Sequence, residues 1–342
     1  MPDTDEDIMR ELMLRSTADL FAGRGATAGA LRRQRQRRVR TRVLGVTGIA
    51  AAAGLAVGTL ATGSGAAGPG ARPAASSAGS STGSSTGGTK AVQLTDAQRT
   101  LYGLSAAAAA RPLSPAGRYV VLAEKSSDIT VESGGGETVP KTSVIDTVTG
   151  SGVMYQDNTA SGSDPQAPAV AKFPAGTYST SAQLDAMPTD PSKLRAVLLV
   201  QAKQQLAQAF TNQMDQAKRA GKKIVSPAGQ TGPTDDDLVF GQAADLLWQP
   251  NLSPARRAAL YKVLADTPGV TVKTGVTDSA GRPAVEISRH DTWDNEVVET
   301  FENPQTGATL ESAWVESRGE VLEDLYLSIS YTNQIPANPY QG

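Results

Sequence analysis

The sequence predicts an α+β fold: one N-terminal transmembrane helix, then an ectodomain whose curved antiparallel sheet is covered by helices. Three observations predict it. An uncharged run, Val43–Thr62, follows a cluster of arginines. Three signalled helix starts, Asp190-Pro191, Thr234 and Ser253-Pro254, stand together in the middle of the chain. After Pro268-Gly269 the apolar period changes from helical to alternating and keeps that period to Thr332. Strands, then a block of helices, then strands again is an α+β order rather than a β-α alternation.

The predicted domains are a basic cytoplasmic tail (1–42), a membrane span (43–62), a linker (63–93) and an extracytoplasmic domain (94–342). The tail begins acidic and ends with Arg32, Arg33, Arg35, Arg37, Arg38, Arg40 and Arg42. The next 20 residues carry no charge. About 20 apolar residues at roughly 1.5 Å each cross a hydrocarbon core about 30 Å thick. Arginines on one flank only place the N-terminus in the cytoplasm by the positive-inside rule. Two competing readings fit less well. A cleaved signal peptide has a shorter basic region. The pairs Arg32-Arg33 and Arg37-Arg38 lack the apolar sequel of a twin-arginine signal. Gly54 and Gly58 form a GxxxG pattern and are the candidate helix-packing residues.

Charge divides at the membrane. Residues 1–42 carry a net of +4 and the remainder a net of −6. A mildly acidic ectodomain presents no basic face for nucleic acid. In the tail, Ile8, Leu12 and Leu20 lie at helical spacing beside the lipid-facing arginines. The segment therefore reads either as a headgroup-binding tail or as the docking site of a cytoplasmic regulator. Cysteine is absent, which removes disulfides, thiolate metal sites and cysteine nucleophiles. The linker is Gly, Ser, Ala, Thr and Pro, a composition that buries no core and is expected to be disordered. Its Gly79-Ser-Ser-Thr-Gly83 fits a hydrolase motif only in letters, because that motif needs a strand-turn-helix.

Within the ectodomain, Thr95-Asp-Ala-Gln98 is a capping box that opens a helix to about Ala110. Arg118–Lys125, Thr142–Val148 and Gly152–Gln156 read as strands. Residues 157–187 read as irregular. Asp190 with Pro191 opens a helix to about Ala220, with Leu194, Val197, Leu198, Leu206, Ala209 and Phe210 as its buried stripe. Thr234 followed by Asp235, Asp236 and Asp237 opens another, with carboxylates at the positive end of the helix dipole. Ser253-Pro254 opens a third, with Leu260, Tyr261 and Leu264 on one face. Strands then follow at 270–276, Ala284–Arg289, Glu296–Glu302 and Thr309–Glu316. In the last, Leu325, Leu327, Ile329 and Tyr331 are expected on the buried face and Tyr326, Ser328, Ser330 and Thr332 on the other.

Four segments carry a family resemblance: PTDPSKLRAVLL at 188–199; Arg257-Ala-Ala-Leu-Tyr261 leading into Pro268-Gly269-Val270; Asp278 with Gly281-Arg282; and Asn303-Pro-Gln-Thr-Gly307. In this order they resemble a family of actinobacterial single-pass membrane proteins. The ectodomains of that family are similar to the lipoprotein carrier LolA and the sensor RseB, and its members are often encoded beside extracytoplasmic-function sigma factors. Asn303 departs from the Asp expected there, and 219–233 looks like an insertion. The resemblance implies a half-barrel whose concave face holds something apolar.

The residues themselves offer little chemistry. His290, the single histidine, has Asp291, Asp294 and Glu296 nearby but no serine on a nucleophile elbow and no metal-ligand spacing. Asp235–Asp237 lacks the pattern of a calcium loop. Trp248, Trp293 and Trp314 read as core aromatics or as the lining of a groove. No catalytic, cofactor or metal residue is assigned, and no cofactor is expected. The expected function is a non-enzymatic sensory or regulatory membrane protein. Its ectodomain would bind an envelope protein or apolar ligand, with a link to sigma-factor signalling. The alternative is a tethered carrier acting only outside the membrane. A carboxylate-based hydrolase ranks lower; paired carboxylates in a cleft would be its sign.

Overall fold

The computed structural model describes residues 94–112, 117–130, 135–157, 169–219, 221, 232–291, 293, 295–316 and 321–341. The tail with Arg32, Arg33, Arg35, Arg37, Arg38, Arg40 and Arg42, the span with Gly54 and Gly58, and the whole linker lie outside them. Among the described residues, no helix is long and apolar enough to cross a membrane.

The element order is α1 (Asp96–Ala110), β1 (Tyr119–Thr130), β2 (Gly135–Asp146), β3 (Gly152–Gln156), β4 (Ala169–Phe173), α2 (Ser181–Ala186), α3 (Pro191–Arg219), α4 (Asp235–Leu247), α5 (Pro254–Ala265), β5 (Thr271–Thr277), β6 (Pro283–Asp291), β7 (Glu296–Glu302), β8 (Thr309–Glu316) and β9 (Val321–Thr332). All nine strands form one curved antiparallel sheet in the order β4-β3-β2-β1-β9-β8-β7-β6-β5. Two meanders, β1–β4 and β5–β9, are thus joined through the first and last strands, with Tyr119 opposite Thr332. The predicted α+β architecture holds at this level.

Local sequence explains most element starts. The Thr95–Gln98 capping box closes as the side chains suggest: Gln98 N–H donates to Thr95 Oγ1 at 3.1 Å, and Thr95 N–H to Gln98 Oε1 at 3.0 Å. Asp190 caps α3 by accepting from Lys193 N–H at 2.9 Å. In α4 the carboxylate of Asp237 takes the return bond from Thr234 N–H at 2.8 Å. The other carboxylate oxygen of Asp237 pairs with Arg289 of β6, so one side chain both caps the helix and pins it to the sheet.

The core lies between the helices and the β5–β8 half of the sheet. Leu101, Leu104 and Ala108 of α1, Leu194 and Leu198 of α3, Leu246 and Leu247 of α4, and Leu260, Tyr261 and Leu264 of α5 pack over Val285, Ile287 and Val298. Gly307 ends the Asn303–Gly307 turn at φ +57; a Cβ there would meet Ala108 Cβ and Leu104 O at 3.0 Å. The turn lies directly under α1, so a side chain at this position is excluded by space as well as by backbone.

Three expectations need correction. Residues 157–187 are not wholly irregular: β4 and α2 lie there, and α2 has its own capping box, Thr180 with Gln183. The α3 stripe is narrower than expected, since Leu194, Leu198 and Ala202 are buried while Ala209 is exposed. In β9 the alternation does not run through. The register slips between Ala123 and Glu124, which face Ser328 and Tyr326, and leaves Leu327 as the extra residue. Leu327 is 44% exposed, whereas Leu325 and Tyr326 are both buried. A bulge turns every later side chain to the opposite face.

Candidate functional site

His290 is exposed at the end of β6, where a ring nitrogen meets Asn295 Oδ1 at 3.3 Å. Asp291 accepts from Trp293 N–H at 2.8 Å, an ordinary loop bond. Among the described residues no group of three His, Asp or Glu could hold a metal ion. Asp235–Asp237 is absorbed by α4: beyond the Asp237 cap, Asp236 pairs with Arg195 at 2.6 Å and Asp235 with Lys203 at 3.1 Å. Trp314 packs against the core, while Trp248 stacks on Tyr326 with centroids 6.5 Å apart and planes 7° apart.

The functional face follows from strand parity. Val120, Leu122, Glu124 and Ser126 of β1 point to the concave side. Opposite them stand Tyr331, Ile329, Tyr326 and Asp324 of β9 and, on the other flank, Ile145, Ser143, Lys141 and Val139 of β2. At one end this face is closed. Tyr178 lies over Gly152, and Tyr331 Oη donates to Pro250 O at 2.9 Å. Asn251 Nδ2 donates to Ser179 O at 3.1 Å, which ties the two covering segments to each other. Gly150, at φ +66, leaves room for this cover, since a Cβ would fall 2.3 Å from Tyr178 O. Toward the other end, Lys141, Met154, Gln156 and Ser126 remain partly open.

Between the closed and open ends lies an ionic cluster. Lys141 Nζ donates to Ser126 Oγ, which in turn donates to Asp324. Among the described residues, Glu124 accepts from Ser143 Oγ, at the long distance of 3.4 Å. Burial, aided by the neighbouring Asp324, pushes the Glu124 carboxyl up to about 7, against the pull of Lys141 and Ser143. Tyr178 is pushed up by burial and by Glu124. Tyr326 is pushed up by burial, then by Asp324 and Glu124. Glu124 and Asp324 are paired carboxylates, but they sit diagonally on adjacent strands of one face. The Lys141 ammonium reaches Asp324 through Ser126 and stands opposite Glu124 in the β1–β2 register, so the two carboxylates do not confront each other across a cleft.

A second buried carboxylate shows the contrast. Glu302, fully enclosed under α5, accepts from Tyr261 Oη at 2.8 Å and Thr309 Oγ1 at 3.2 Å, and burial raises its pKa. Beside this network a cavity of about 20 Å³ is lined by Leu247, Trp248, Arg257, Thr309, Tyr326 and Ile329. That is room for about one water molecule.

No protein-family model matches the sequence, and no curated protein matches it. Solved structures do show a likeness. The chain is similar to a chain of the Pseudomonas aeruginosa MucA/MucB complex, at 13% identity and TM-score 0.24, over 71% of this chain and 59% of that one. MucB in complex with MucA(peri) is similar at 14% and 0.25, over 71% and 57%. A LolA superfamily protein, NE2245 from Nitrosomonas europaea, is similar at 7% and 0.21, over 72% and 97%. The chain thus spans somewhat more than half the length of the first two. A likeness at TM-scores of 0.21 to 0.25 assigns this chain neither a family nor a residue role.

Sequence reasoning missed Glu124. Its signal was present: in Arg118–Lys125 it shares parity with Val120 and Leu122, so a carboxylate stands on the apolar face of its strand.

Proposed function

We propose that this chain is a membrane-tethered, non-enzymatic sensory or regulatory protein, and that its ectodomain takes a partner on the open concave half formed by β1–β4 and β9. One observation carries the reading: the helices cover the concave face unevenly. Among the described residues they pack mainly on β5 and β6, while Tyr178 of segment 174–187 lies over Gly152 of β3 and segment 248–253 is tied to Tyr331 of β9. A single sheet that closes one half and leaves half-buried Met154, Lys141 and Ser126 accessible on the other has the form of a binding groove.

In this reading Val43–Thr62 anchors the chain, the arginines hold the N-terminus inside, and the segment with Ile8, Leu12 and Leu20 meets a cytoplasmic regulator such as a sigma factor. The carrier alternative asks for a cavity of acyl-chain size. The space beside Trp248 holds about one water; a more open pocket of about 400 Å³, between α1 and the segment leading into β5, is lined by Gln98, Leu101, Leu264 and Val270 and is the place to which the carrier reading points.

Site-directed photo-crosslinking on intact cells tests the reading. A crosslinker at Met154, on the concave side, should yield a discrete adduct; one at Lys273, on the outer edge strand β5, should not. Equal labelling from both positions, or none from Met154, would overturn it.

A further inference from the structure

Charge does not balance within the concave cluster. Two carboxylates, Glu124 and Asp324, share one ammonium, Lys141, and hydrogen bonds commit that ammonium toward Ser126 and Asp324. Glu124 is left with one long bond from Ser143. The other titratable groups facing it are the phenols of Tyr178, from the segment before α2, and Tyr326 of β9; Asp245 of α4 acts on the same Tyr326. None of these supplies a positive charge. A half-buried carboxylate so weakly compensated holds its proton or draws in water.

The position of Glu124 makes that choice consequential. Trp248, in one of the two segments that close the groove, stacks on Tyr326, the β9 residue paired with Glu124, and Asn251 of the same segment holds the backbone of Ser179 in the other. We propose that Glu124, Asp324 and Lys141 form a proton-operated latch: with Glu124 protonated, segments 174–180 and 248–253 stay down on β1 and β9; with Glu124 ionised, repulsion from Asp324 and the entry of water loosen them and widen the groove. The latch is a regulation of the concave site and rests on the binding reading only for its biological use. The upward shift of the Glu124 carboxyl to about 7 places the transition at neutral pH, so a modest change outside the membrane would operate it.

Amide hydrogen exchange on the full chain tests the latch. The chain is kept in mild detergent from about pH 5.5 to about pH 8.5, and rates are corrected for intrinsic exchange. Protection of 174–180 and 248–253 should fall at least about fivefold as pH rises through the transition, while α5 stays unchanged. Glu124→Gln should remain protected across the range. pH-independent protection in the wild type, or the same pH dependence in Glu124→Gln, overturns the proposal. Should that variant not fold, carbon NMR titration of Glu124 in the wild type decides: a midpoint in the ordinary glutamate range overturns the latch. Crosslinking from Met154 reports separately on the binding reading, so each can fail without the other.

Discussion

The two halves of the sheet handle buried charge differently. Under the helices, Glu302 receives bonds from Tyr261 and Thr309, and Asp237 is shared between the Thr234 cap and Arg289. Every such carboxylate is held by groups that cannot leave without unpacking the core. On the β1–β4 side Glu124 has one long bond and an ammonium already engaged elsewhere. The saturated charge of Glu302 and Asp237 makes a scaffold. The weakly held charge of Glu124 makes a place where solvent conditions act, although Asp146 in the same half is fully held by Arg118, Val148 and Thr149. Buried polar groups are most stabilising when fully satisfied and most responsive when they are not.

The comparison predicts a graded set of responses. The largest belongs to the covered half. Leu260→Ala should lower unfolding free energy by roughly 2–5 kcal/mol in a denaturant titration, and Met154→Ala on the open half by less than about 1 kcal/mol. Similar losses at both positions would break the distinction.

Next comes Glu302→Ala, which removes the shared carboxylate acceptor of Tyr261 and Thr309, leaves them only Gly307 O and Leu247 O, and opens a space under α5. A loss of about 2–4 kcal/mol is expected. Glu302→Gln, which keeps an acceptor, should lose less. A loss below about 1 kcal/mol for the alanine variant would mean that these bonds do not hold the carboxylate as a saturated group.

The third effect is pH-dependent. Glu124 titrates near 7 in the folded chain and at the ordinary glutamate value, about 4.5, when unfolded. Between those values the folded state binds more protons, so stability falls as pH rises through that window and levels off above it. Part of the side chain remains accessible, so a drop of about 1–3 kcal/mol is expected. Glu124→Gln should flatten this slope, measured by chemical denaturation at fixed salt. An unchanged slope would place the titrating group elsewhere.

The smallest effect is at Leu327. On strict alternation a charge there would enter the core and cost several kcal/mol. The bulge instead leaves this side chain half in solvent. Leu327→Asp should therefore change stability by no more than about 0.5 kcal/mol, whereas Leu325→Asp should be severely destabilising.

Local signals were legible wherever the chemistry is local. Thr95 with Gln98, Asp190 with Pro191 and Thr234 with Asp237 name their helices because each cap is a contact across three residues or fewer. The Asn303–Gly307 turn is legible for the same reason. The segment after Gln156 was misjudged because β4 is only five residues long and sits among Ser, Ala and Pro, although the Thr180–Gln183 pair marked α2 plainly. The bulge at Leu327 was not legible at all. The residues there alternate faithfully, and only pairing with β1 introduces the slip. Likewise, Asp278 with Gly281-Arg282 identifies a family resemblance but shows no purpose in sequence. In the fold, Asp278 pairs with Arg282 at 2.5 Å, and the guanidinium donates to Tyr326 O and Leu310 O. The motif is a staple beside the bulge. Glu124 was half legible: its parity was visible, but its shortage of partners depends on strands far away in the chain.

The closure of the sheet through β1 and β9 has a consequence for biogenesis. Tyr119 and its pairing partner Thr332 are more than two hundred residues apart. At roughly 5–20 residues per second, β1 waits about 10–40 s after synthesis before its second neighbour exists. During that interval one edge of the β1–β4 meander displays unpaired backbone groups beside the apolar side chains of Val120 and Leu122, a surface on which stray strands can add. β9, made last of the nine described strands, is therefore the one that caps this edge, and the sheet cannot close until the chain has been made as far as Thr332.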